Sequence, residues 1–198
     1  MKTRCPHFFR NVSAFIALIL ALTVNILSQP QYYNYNTQGS NNAFPLNTLP
    51  ASGKTTQSLY LAGAFNQPTP APNGNITKIY LMASSTGNAT FNTLTIKMGQ
   101  TTDVDLPTGA WYTGPMTTVL DATNFNIVGT AGQFFMITLT TPFNYDQTKS
   151  LVIEISQCGY SGTGIGLGYT ALSGNKRCAG PLSATACPHP YGNQQTYS

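Results

Sequence analysis

Ionisable side chains are what this chain has least of. Asp, Glu, Lys and Arg together make up 7% of its 198 residues, against roughly 25% in ordinary soluble proteins. Five carboxylates and two histidines are the whole stock of acid–base groups near neutrality, which narrows the chemistry open to the chain. A Ser-His-Asp triad would rest on His189. That residue stands in Cys187-Pro188-His189-Pro190, a constrained stretch with no nucleophile elbow nearby. Glycoside hydrolysis needs two carboxyls roughly 5–9.5 Å apart across a cleft. Glu154, flanked by Ile153 and Ile155, is expected on the solvent side of a strand, and Asp103, Asp105, Asp121 and Asp146 at turns. No catalytic set emerges, and a non-enzymatic protein is expected.

Basic clusters are missing as well. The formal charge of +4 comes mostly from the first residues, where Lys2, Arg4 and Arg10 precede an apolar block over 12–27. That block ends at Ser28-Gln29-Pro30, in the layout of a secretory signal peptide too short and too N-terminal for a spanning helix. Residues 1–29 are therefore expected to be removed on export, leaving a secreted or cell-surface chain with no integral membrane span. What remains is nearly neutral, and its one adjacent basic pair, Lys176-Arg177, reads as a solvated turn. Nucleic acid is excluded as a partner, because counterion release needs clustered cations.

Cysteine is scarce too. Cys5 leaves with the leader, and Cys158, Cys178 and Cys187 allow one disulfide in an oxidising compartment. Cys158–Cys187 is the first expectation and Cys178–Cys187 the alternative. Cys178, Cys187 and His189 are only three ligands without a paired C-x-x-C, and a disulfide is expected there in place of zinc.

Period-2 alternation is present in abundance. It runs through 57–61, 76–82, 91–98, 116–120, 125–128, 134–140 and 151–155, with further strands expected at 32–35 and 165–169. Within 91–98, Leu94, Ile96 and Met98 should face inward, and Thr93, Thr95 and Lys97 outward. Turn chemistry separates the runs, most plainly the three prolines and the Asn-Gly pair of 66–74. The expected fold is all-β, a single two-sheet β-sandwich over 30–198 with jelly-roll-like topology, or an immunoglobulin-like sandwich as the alternative. Thr196-Tyr197-Ser198 reads like the start of another strand, as in a fragment cut before its closing strand.

Two local features point to ligands. Trp111-Tyr112, after Pro107-Thr108-Gly109, could present a flat surface to a sugar ring, and Tyr32, Tyr33 and Tyr35 could do the same. Asp103-Val104-Asp105 is the candidate for a structural calcium ion, since alternate carboxylates can share a hard cation. No other cofactor is expected.

Several motifs resemble one another's counterparts in a known group. Gln31-Tyr32-Tyr33-Asn34-Tyr35-Asn36, Asn41-Asn42-Ala43-Phe44-Pro45-Leu46, Gln57-Ser58-Leu59-Tyr60-Leu61, Gly74-Asn75-Ile76-Thr77, Leu94-Thr95-Ile96-Lys97-Met98-Gly99 and Pro142-Phe143-Asn144-Tyr145-Asp146 together resemble the N-terminal β-sandwich domain of large secreted Bacteroidetes modular proteins. The likeness covers nearly all of 30–198. It implies export across the outer membrane as type IX secretion cargo, although no sorting domain is present in this sequence. It assigns no catalytic residue. The expected function is an adhesive or structural surface module, with polysaccharide or extracellular matrix as partner. The alternative is an accessory domain of a larger secreted hydrolase.

Overall fold

The computed structural model describes residues 30–34, 40–48, 50–180 and 195–197. The expected leader, Cys187 and His189 lie outside the described residues. Eleven strands and no helix occur among those described. None of them forms a helix long and apolar enough to cross a membrane.

The wide sheet is antiparallel throughout. Its order is β11 (Gln195–Tyr197), β10 (Arg177–Ala179), β2 (Gly53–Tyr60), β7 (Ser150–Cys158), β4 (Gly87–Thr101) and β5 (Thr117–Gly129), with β8 (Tyr160–Thr163) paired to β4 as well. A narrow sheet of β3 (Gly74–Met82) and β6 (Phe134–Tyr145) packs over it. A small ribbon of β1 (Ser40–Asn42) and β9 (Leu167–Tyr169) meets the end of β3 through an Ala83–Leu167 bridge. The molecule is an all-β sandwich.

Alternation builds the core between the sheets. Leu94, Ile96 and Met98 of β4 are fully buried, as their spacing predicts, and meet Ile79, Phe135 and Ile137 of the narrow sheet. Two expected boundaries shift. Residues 117–120 and 125–128 belong to one strand, β5, which passes through a positive φ of 52° at Asn124, a residue type that tolerates that region; Met116 stays in the preceding loop. Turn chemistry predicts a break at Pro142 to Asp146, yet Pro142 to Tyr145 lie inside β6. Residues 139–142 bow away opposite Thr77, and Thr140 Oγ1 donates to the carbonyl of Val119 at 3.0 Å. That bow fastens the narrow sheet to β5, so its other edge, along β3, stands over the opposite flank of the wide sheet.

The outer face of the wide sheet is covered as well. Residues 102–116, between β4 and β5, fold back over it and close a second cluster of Leu59, Leu106, Trp111, Val152 and Cys178. Close approach is possible because β4 carries a glycine there. A Cβ on Gly99 would lie 2.6 Å from both Met116 Sδ and the Pro115 carbonyl oxygen.

One cation is fully buried inside the sandwich. Lys54 donates to the Gly180 carbonyl and lies 3.8 Å from the centroid of the Phe44 ring. Burial, helped by the like charge of Arg177, lowers its pKa from 10.5 to about 8. The unfolded chain therefore binds more protons than the folded one between these values, and stability contributed at this site rises with pH there. Urea midpoints at pH 7.5 and 9.5, with Lys54→Met as reference, test this. Wild type is expected to gain on the variant by up to about 1.4 kcal/mol per pH unit within that window. Parallel pH profiles would refute it.

Candidate binding groove

Because the narrow sheet is only two strands wide, the flank of the wide sheet beyond β3 is left open as a groove of about 720 Å³. That size lies within the range of small-ligand sites. The wide sheet supplies the floor. Register sets Arg177, Ser58, Ile153 and Met98 in one row across β10, β2, β7 and β4, and Tyr60 beside Leu151 in the next. All six residues line the groove. One wall is β3 from Ile76 to Met82; the others are residues 30–34 and 168–172. Tyr33 fixes the first of these by exchanging backbone hydrogen bonds with Gln67 at 2.9 and 3.2 Å.

Aromatic rings dominate this surface. Tyr60 and Phe65 stand 5.3 Å apart, and Phe65 meets Tyr145 edge-on at 6.1 Å. Tyr32, Tyr33, Tyr80, Phe134 and Tyr169 are the other aromatic residues of the lining. The Arg177 guanidinium lies 5.5 Å over the Tyr169 ring. Burial pushes the Tyr60 and Tyr145 phenols up, so they remain neutral donors at physiological pH. Asn34, Asn73 and Asn75 add amides. Flat rings, neutral hydroxyls and amides can stack on and hydrogen-bond a polar ring. The described residues that line the groove include no His, Cys, Asp or Glu.

The residues expected to bind sugar are elsewhere. Trp111 is 3% exposed, packed on the outer face of the wide sheet, and offers no surface to a ligand. Tyr112 beside it is half-buried. Its backbone is gripped by the Gln57 amide, which accepts from the Tyr112 N–H at 2.8 Å and donates to its carbonyl at 3.2 Å. Its hydroxyl donates to the Gln100 carbonyl at 3.2 Å. Tyr32 and Tyr33 do reach the groove; Tyr35 lies outside the described residues.

Glu154 also departs from expectation. It is 2% exposed, because residues 102–116 cover the face it occupies. Gln57, Glu154 and Lys97 are cross-strand partners on β2, β7 and β4. Gln57 Nε2 donates to Glu154 Oε2 at 2.8 Å, and Lys97 Nζ sits 3.1 Å from Oε1. The carboxylate is thus committed to a buried polar row. Asp121, expected at a turn, sits within β5 and accepts from Thr95 Oγ1 at 2.9 Å.

The two carboxylates considered for calcium have separate partners. Asp103 Oδ2 accepts from Thr101 Oγ1 at 2.7 Å, while Asp105 Oδ1 lies 2.6 Å from Lys176 Nζ. The Lys176 hydrogen bond holds the Asp105 carboxyl below the usual carboxylate range. A cation shared by these two residues would compete with the Lys176 ammonium for Asp105. No group of three or more His, Cys, Asp or Glu that could hold a metal occurs among the described residues.

Cys178 is a fully buried free thiol, pushed up to about 11 by burial, which makes it inert as a nucleophile. The Cys158–Cys187 expectation involves a residue outside those described. The signal that could have located the groove was the pair Lys176-Arg177. Read as a solvated turn, it is half-buried, with Arg177 opening β10 and both residues lining the groove. Compared with known proteins, the chain matches no family model, no curated protein and no solved structure.

Proposed function

We propose that this chain is a non-enzymatic, secreted or cell-surface β-sandwich module with an adhesive role, and that it binds polysaccharide in the groove beside β3. The aromatic lining of that groove carries the reading: Tyr32, Tyr33, Tyr60, Tyr80 and Tyr169 share one concave surface with several amides. Sugar rings bind through apolar faces and ringed hydroxyls, which such a surface matches. Export rests on the leader layout of 1–29, and the type IX route on the resemblance to secreted Bacteroidetes domains. A Cys158–Cys187 disulfide suits an exported protein, and the buried free thiol of Cys178 supports that pairing over Cys178–Cys187.

The test is binding of the chain to a broad polysaccharide panel, with a Tyr32→Ala, Tyr169→Ala double variant alongside. Both residues are partly exposed, so the fold should survive, as an unchanged melting temperature would show. Loss of about 2 kcal/mol or more of binding free energy per ring is the expected scale for a central aromatic contact. A panel with no bound glycan would overturn the reading.

A further inference from the structure

Charge is sparse in this chain, yet its distribution around the groove is one-sided. Lys78, Lys176 and Arg177 line the groove, and none of the five carboxylates does. Four of them have places away from it, and Asp146 stands at its end, next to the lining Tyr145, whose phenol is pushed up by burial and then by the Asp146 charge. Glu154 is on the opposite face of the wide sheet with Lys97, Asp121 is on β5 with Thr95, and Asp103 is held by Thr101. Asp146 accepts from Thr148 and lies 3.6 Å from Lys149. Asp105 holds the ammonium of Lys176 at 2.6 Å, so that lysine contributes mainly its stem. The positive character of the groove then comes from exposed Lys78 on the β3 wall and from Arg177 on the floor. Lys54, buried two strand positions from the Thr56 that pairs with Ala179, adds a further cation on the same face of the wide sheet.

Resting on the polysaccharide reading above, we infer that the groove selects an anionic polysaccharide, one bearing carboxylates or sulfates, through Lys78 and Arg177. A neutral glycan offers both cations only hydroxyl acceptors, which make weaker bonds than charged oxygens. An acidic one gives each cation a charge-assisted hydrogen bond, and Arg177 presents a planar fork suited to two oxygens. The Tyr169 ring under the guanidinium holds that fork in place.

The experiment compares matched polymers: polygalacturonate against its methyl ester, alginate against its carboxyl-reduced form, and heparan sulfate against its desulfated, N-acetylated and carboxyl-reduced form. The chain is expected to bind at least one acidic member about tenfold or more tighter than its neutral counterpart, a charge-assisted bond being worth about that factor. That preference should shrink as salt rises, and should fall about tenfold in Lys78→Gln and in Arg177→Gln. Lys78→Gln changes an exposed strand residue and keeps the test valid if Arg177→Gln fails to fold. Equal binding of acidic and neutral partners overturns this inference and leaves the polysaccharide reading standing. Binding to none overturns both. An acid preference that survives in Lys78→Gln and in a folded Arg177→Gln places the recognition elsewhere and overturns the assignment.

Discussion

Trp111→Ala is expected to lower the free energy of unfolding by about 3–5 kcal/mol, the usual cost of truncating a buried large aromatic. The indole is the bulk of the second cluster, wedged between the outer face of the wide sheet at Leu59 and Val152 and its own loop at Leu106. Its removal would empty the contact that keeps residues 102–116 on the sheet, and with it the cover over Glu154. For most domains a loss of this size is a large part of total stability. Urea unfolding would read it directly. Polysaccharide affinity of the folded fraction should stay at the wild-type value, since Trp111 is on the opposite side of the wide sheet from the groove. A variant that unfolds normally but no longer binds would place the ligand on the Trp111 face instead.

Glu154→Ala is expected to cost about 2–4 kcal/mol, in the range for removing one partner of a buried ion pair. The loss strands two donors: Gln57 Nε2 at 2.8 Å and Lys97 Nζ at 3.1 Å. Gln57 also grips the backbone of Tyr112, so disorder in that amide would loosen the loop above. Lys97 is about one-third exposed and can turn to water, which keeps the cost below that of a fully enclosed pair. Glu154→Gln should cost less, because a neutral amide still accepts from Gln57. In a Glu154→Leu, Lys97→Met double variant much of the stability should return, with a coupling of about 1–3 kcal/mol across the cycle. Additive effects of the two changes would mean that the ion pair contributes nothing to the fold.

Both variants concern the face that alternation assigned to solvent. The period-2 pattern of β4 and β7 divides their residues correctly into two faces, and Leu94, Ile96 and Met98 are buried as expected. Alternation says nothing about what covers the second face. Lys97 and Glu154 look outward-facing because they are charged, yet a loop without period of its own folds over them, fastened by Gln57 and the small Gly99. Trp111 misled for the same reason: an aromatic in a turn-rich segment fits a ligand platform and a loop anchor equally well. The groove was legible only in fragments. Tyr32 and Tyr33 stood out as a cluster, but Tyr60, Tyr169 and Arg177 lie on three different strands, β2, β9 and β10. Only the pairing of those strands brings them to one groove, and such pairings are contained in no local window.

The order in which strands enter the two sheets also bears on how the chain folds. β4 and β5 are consecutive strands, joined by residues 102–116, and can pair before strands more distant in sequence. By contrast β3 pairs with β6 across more than fifty residues, and β2 with β7 across about ninety. Such distant pairing slows folding, because the entropy of closing each loop is lost before its contacts form. The narrow sheet, and the groove that its free edge defines, should therefore be among the last parts of the molecule to take shape. Until then β4, β5 and their neighbours leave paired-off backbone on one side and open edges on the other. A chain that lingers in this state is exposed to self-association at those open edges when it is concentrated.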